Sequence, residues 1–194
     1  MGNLLRKYQS LPICTAFLLS IMFLMSACSS SKKSASNTSG TLASIKSHVV
    51  IKKKVPAIKI DTKNVSAGAV VQYSKTLLGV PYKYGSMKKE NGFDCSGFIH
   101  YVFNHFNVKV PRTTVDFTNA GKEVPIEESK EGDLILFTGS DAKSGVVGHM
   151  GIVTKTTQHD VFFIHAASGG GKGVMISSLN SYFIPRFVKV IRIF

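Results

Sequence analysis

Apolar and polar positions divide this chain into four stretches with different periods. Leu11 to Ala27 is almost continuously apolar. Residues 29–64 are rich in serine and lysine, broken by two short apolar runs, Val49-Val50-Ile51 and Val55-Pro56-Ala57-Ile58. Helical spacing follows. Ser66 is a good N-cap, and Ala67 to Leu78 carries Val70, Val71, Ser74, Leu77 and Leu78 on one side, closed by Gly79. A second helix is predicted from Cys95 to Phe106, with Phe98, Ile99, Val102, Phe103 and Phe106 inward, and a short third helix after Thr113. From Asp133 the period changes to strands: Leu134 to Phe137, Val147 to Val153, Val161 to His165, Val174 to Ile176 and Phe187 to Ile193. Helices followed by consecutive short strands predict an α+β domain built on an antiparallel sheet.

The first apolar stretch has the layout of a secretory signal: Arg6 and Lys7, then the apolar core, then Ser26-Ala27-Cys28. The small residues before Cys28 resemble the bacterial lipobox, in which the cysteine is acylated and becomes the new N-terminus. Met25 is a mild departure from that motif. The expected organisation is a signal peptide over residues 1–27, a lipidated Cys28 with a basic linker over 28–64, and a folded domain over 65–194. The expected location is a membrane surface outside the cytoplasm. Ser29 resembles an outer-membrane sorting signal, which would mean the periplasm in a Gram-negative cell. An uncleaved anchor is the alternative, although about 17 apolar residues is the short limit for a spanning helix.

Charge sharpens this division. The formal net charge is +13 over 194 residues. Eight lysines stand against the single acid Asp61 in residues 32–64, so most of the excess lies outside the expected domain. Such a segment could serve as a solvated tether, or hold an anionic membrane or wall polymer. A basic segment of this kind can also bind nucleic acid, but nucleic acid is not the expected partner.

The three cysteines, Cys14, Cys28 and Cys95, have no zinc-ligand spacing and no disulfide pattern. With Cys14 removed and Cys28 acylated, Cys95 is the remaining thiol. It sits where a loop passes into a helix, a place that favours a thiolate. Gly97 in the first turn would let a substrate approach the backbone. A buried structural cysteine is the competing reading. His149 opens one strand and His165 closes the next. A hairpin centred near Thr157 would set them opposite each other, because 149 and 165 are equidistant from it. A base held by a second histidine is what a cysteine nucleophile needs. Two satisfied histidines at strand ends are the alternative. No third ligand accompanies them, so neither a metal nor a cofactor is expected. The run Ser168-Gly169-Gly170-Gly171 lacks the strand–helix context of a phosphate loop and reads as a turn.

Six blocks occur in order: Gly79-Val80-Pro81-Tyr82-Lys83-Tyr84-Gly85, Gly92-Phe93-Asp94-Cys95-Ser96-Gly97-Phe98, Val110-Pro111-Arg112-Thr113-Thr114, Glu131-Gly132-Asp133-Leu134, Gly148-His149-Met150-Gly151 and Phe163-Ile164-His165-Ala166. Together they resemble the NlpC (NlpC/P60) family of cell-wall cysteine peptidases, over about residues 66–194. The resemblance implies a compact papain-like fold, Cys95 as nucleophile, His149 as base and His165 as the orienting residue. It also implies that Tyr82 assists at the oxyanion or the substrate amine, and that Asp94 and Ser96 help hold the free N-terminus of a stem peptide. Ser86 replaces a glycine usual after Gly85. The implied function is a monomeric peptidoglycan hydrolase cutting stem peptides between D-glutamate and a diamino acid such as diaminopimelate. Alternatives are an N-acetylmuramoyl-L-alanine amidase, an acyltransferase, or a wall-binding lipoprotein without activity.

Overall fold

Two helices lie against one face of an antiparallel sheet. The structure is a computed structural model that describes residues 58–169 and 173–194. The signal segment, Cys28 and the run Val49-Val50-Ile51 fall outside the described residues, as does most of the linker. Helix α1 spans Ala67–Lys75, shorter than its apolar pattern. Ser66 caps it by accepting a hydrogen bond from the Ala69 N–H. Turn hydrogen bonds carry the chain on to Gly79, whose φ is +83°. Helix α2 spans Cys95–His105, with Phe98, Ile99, Val102 and Phe103 fully buried.

Two small strands, β1 (Met87–Lys88) and β2 (Gly92–Phe93), precede α2 and pair with each other. The predicted third helix is a 3-10 helix, Val115–Asn119. The main sheet contains β3 (Lys122–Val124), β4 (Leu134–Thr138), β5 (Val147–Thr156), β6 (Val161–Ala167), β7 (Gly173–Ser178) and β8 (Phe187–Arg192), in the order β3-β8-β4-β5-β6-β7. All its pairings are antiparallel.

Strand β4 reads as an unbroken apolar run because both of its faces are covered. Leu134 and Leu136 join the cluster that holds α1 and α2, together with Met150, Ile152 and Ile164. Ile135 and Phe137 point the other way, into a second cluster with Val153, Phe163, Val190, Leu179 and Phe183. Alternate side chains of a strand leave opposite faces, so one strand feeds two cores. Asp133, just before β4, is 2% exposed. Its carboxylate receives two hydrogen bonds from Arg192, at 2.8 and 2.7 Å, and one from the Lys130 N–H at 2.7 Å. The acid of the Glu131-Gly132-Asp133-Leu134 block therefore ties the last strand to the start of β4.

The open edge of β7 is met by the loop after α1. Val174 N–H donates to the Val80 carbonyl at 2.8 Å, and Gly79 N–H donates to the Val174 carbonyl at 2.9 Å. That loop carries Tyr82 and is thereby fixed relative to β7.

Candidate active site

Cys95 is the first residue of α2, and its position is set by the residues on either side. Asp94 caps the helix, accepting from the Gly97 N–H at 2.5 Å. Its carboxylate also accepts from the Ser96 hydroxyl at 3.2 Å and from Arg112 at 2.7 and 3.3 Å. Arg112 donates to Ser96 Oγ as well, at 2.9 Å. Asp94 and Ser96 are 7% and 5% exposed and do not line the neighbouring cavity. Their observed partners are each other, the helix start and Arg112. Arg112 stood in the quoted Val110-Pro111-Arg112 block without a role; only the fold brings it to Asp94.

Gly97 has a different purpose from the one its place in the sequence predicts. A Cβ there would collide with the Ser86 carbonyl oxygen. The same carbonyl accepts from the Asp94 N–H at 3.0 Å. Glycine lets the loop close against the helix start; it is not an opening for substrate.

The two histidines come together, though not in the expected register. β5 and β6 pair Ile152 with Ile164 and Val153 with Phe163, with a bulge before Lys155. The turn is centred one residue further along than Thr157, so His149 and His165 sit diagonally, offset by two positions. Diagonal neighbours remain within reach of long or aromatic side chains. Gly151 makes room, since a Cβ there would lie 3.2 Å from His165 Cβ. His149 Nε2 and His165 Nδ1 are 2.8 Å apart, and His165 Nε2 lies 2.9 Å from Ser177 Oγ on β7. Ser177 escaped the sequence reading because nothing local links β7 to a histidine 12 residues earlier. Phe183 covers the pair, stacked on His149 with centroids 6.4 Å apart and edge-on to His165 at 5.5 Å.

Cys95, Tyr82, His149, His165 and Ser177 all line one cavity of about 530 Å³. The Cys95 thiol points at the carbonyl oxygen of Gly148, 3.8 Å away, in the residue preceding His149. Burial pushes the Cys95 thiol up to about 11, and the Asp94 carboxylate adds to the rise. The Ser96 and Cys95 N–H groups and Arg112 pull it back only in part. The helix start therefore favours the thiolate, as expected, but burial outweighs it. Burial likewise lowers His149 to about 4. His165 falls to about 3, from burial first and His149 second. Tyr82 is raised by burial and by the charges of Cys95, Asp94 and Tyr84. The resting centre is an uncharged thiol beside uncharged imidazoles. Among the described residues, no group of three or more His, Cys, Asp or Glu side chains is placed to hold a metal.

The NlpC/P60 family model matches residues 79–192, a span that contains all of these groups. The chain belongs to the NlpC/P60 family. It is 39% identical over 117 residues to a probable endopeptidase of Haemophilus influenzae, covering 59% of this chain and 67% of that protein. It is 34% identical over 96 residues to a γ-D-glutamyl-L-lysine dipeptidyl-peptidase of Bacillus subtilis, covering 50% of this chain but only 32% of that one. A crystal structure of an NlpC/P60 family protein from Bacillus cereus superposes with a TM-score of 0.58 at 28% identity, over 66% of this chain and 40% of the other. The α+β papain-like architecture is thus that of NlpC/P60 domains.

Proposed function

We propose that this protein is a cysteine endopeptidase of peptidoglycan stem peptides, with Cys95 as nucleophile. The observation that carries the reading is the chain of contacts from His149 through His165 to Ser177, in the cavity that also holds the thiol.

For His149 to accept the thiol proton on Nδ1, its Nε2 must carry a hydrogen. That hydrogen is donated to His165 Nδ1 at 2.8 Å, which leaves His165 to donate from Nε2 to Ser177 Oγ. One tautomer of each ring satisfies every contact. The thiol attacks a substrate carbonyl, forming the S–C bond as its proton passes to His149. Proton transfer accompanies attack, because neither charged form is favoured at rest. In this reading N–H groups at the start of α2 stabilise the developing oxyanion, and Tyr82 assists there or at the substrate amine. Collapse breaks the C–N bond, and His149 protonates the departing amine. Water then hydrolyses the thioester by the same route.

The Haemophilus influenzae relative's name supports an endopeptidase, and the Bacillus subtilis enzyme's name supports the substrate class and a bond on the γ-carboxyl side of D-glutamate. We infer that bond here, with a diamino acid as the leaving residue. We also infer from the signal-like N-terminus that Cys28 is lipidated and holds the enzyme on a membrane outside the cytoplasm. Purified protein digesting muropeptides should yield fragments ending at D-glutamate by mass spectrometry, and Cys95→Ala should abolish them. Fragments beginning at L-alanine would instead mark an amidase, and full activity in the alanine variant would reject the mechanism.

A further inference from the structure

The cleft extends from Cys95 to a wall that the chemistry above does not use. Arg186, at the end of a 3-10 turn Ile184–Arg186 before β8, lines the same cavity. It is the only formally charged side chain among the described lining residues, and no Asp or Glu lines the cavity with it. None of the ion pairs among the described residues includes it. Its position is nonetheless fixed. One terminal nitrogen donates to the Tyr182 carbonyl at 2.8 Å, the other to the Ser140 carbonyl at 3.3 Å, and the guanidinium lies 4.0 Å over the Tyr182 ring. Ser140 and Tyr182 belong to different loops, so the cation is braced from both sides. Two of its five N–H groups are thereby engaged, and its Nε is buried without a partner.

A second orphan lies in the lining of the same cavity. Thr138 lines the same cavity, is 4% exposed, and its hydroxyl is also buried without a partner. The β4–β5 register slips between Phe137, opposite His149, and Thr138, opposite Val147, a bulge beside the site. These two atoms are the only unpartnered buried side-chain polar atoms among the described residues. A buried polar atom without a partner calls for one, whether water, ion or ligand. A braced guanidinium without a counter-charge suits a carboxylate, which it can grip with two parallel N–H groups.

Building on the peptidase reading, we propose that Arg186, with Thr138, forms a carboxylate-recognition subsite that selects stem peptides bearing a free carboxylate beyond the scissile amide. Two substrate groups offer that chemistry: the side-chain carboxylate of diaminopimelate and the terminal α-carboxylate of a short stem.

The test uses four synthetic stem peptides, with each carboxylate free or amidated, and wild-type, Arg186→Gln and Arg186→Lys proteins. The wild type should cleave the peptide with the recognised carboxylate free roughly 10- to 100-fold faster in kcat/KM than its amide, the usual worth of a charge-assisted contact. The amide that lowers the rate identifies which carboxylate binds. In Arg186→Gln the ratio should fall close to one, while Arg186→Lys should keep part of it. Equal rates on all four peptides in the wild type, or an unchanged ratio in Arg186→Gln, would overturn the subsite and leave the peptidase reading standing. No cleavage of any peptide by the wild type would overturn both. Because the wild-type comparison needs no variant, the proposal stays testable if Arg186→Gln does not fold.

Discussion

His165 gives the stability of this domain a pH dependence that can be worked out and measured. Its ring is 1% exposed and its pKa is lowered to about 3, against 6.5 in an unfolded chain. Between those values the unfolded chain binds a proton that the folded one does not. Stability is therefore full above pH 6.5 and is lost as the pH falls towards 3. At pH 5 the unfolded ring is almost fully protonated, 1.5 units below its own pKa, and the cost is about 2 kcal/mol at 1.36 kcal/mol per unit. Carboxylates and His149 add their own dependence, so the useful quantity is a difference between proteins. His165→Gln keeps an acceptor for His149 and removes the titrating group. Guanidinium unfolding of both proteins at pH 7.5 and pH 5 gives two losses of stability. The wild type should lose roughly 2 kcal/mol more than the variant. Equal losses would show that His165 titrates normally and that the buried, uncharged relay is wrong.

Three further substitutions probe the supports of the centre. Arg112→Met strands the Asp94 carboxylate beneath α2; because Arg112 is partly exposed, the expected loss in denaturant unfolding is about 2 kcal/mol, and a loss under 0.5 would show that Asp94 does not depend on it. Gly97→Ala forces the Ser86 carbonyl away from the helix start; the unfolding midpoint should drop by several degrees, and an unchanged midpoint would mean the loop yields freely. Ser177→Ala leaves His165 Nε2 without its partner; kcat should fall roughly 10-fold with little change in KM, and a purely KM effect would remove Ser177 from the relay.

The parts of this molecule written in local patterns were legible in advance. Phe98, Ile99, Val102 and Phe103 show helical spacing and are all buried on α2. The five apolar runs after Asp133 became β4 to β8. Strands β1, β2 and β3 were not visible, because two or three residues carry no measurable period. The pairing of His149 with His165 was found from a hairpin drawn too symmetrically. A longer turn and a bulge moved the register by two, and the long imidazole side chains bridged the difference. Arg112, Ser177 and Phe183 were missed for one reason: each acts on a residue far along the chain. The role of Gly97 was misread because its close neighbour, Ser86, belongs to a loop that only the tertiary fold brings near.

The reactive centre is assembled from contacts of very unequal reach along the chain. His149 meets His165 across 16 positions and His165 meets Ser177 across 12, all within the consecutive strands β5, β6 and β7. The thiol reaches Gly148 across 53. Loop-closure entropy makes the longer span costlier by about 1 kcal/mol, before any docking of α2 is counted. The histidine relay lies within one meander, whereas the thiol is brought to it only while the helical layer stays seated. Loosening that one seam separates the two halves of the centre and disarms it.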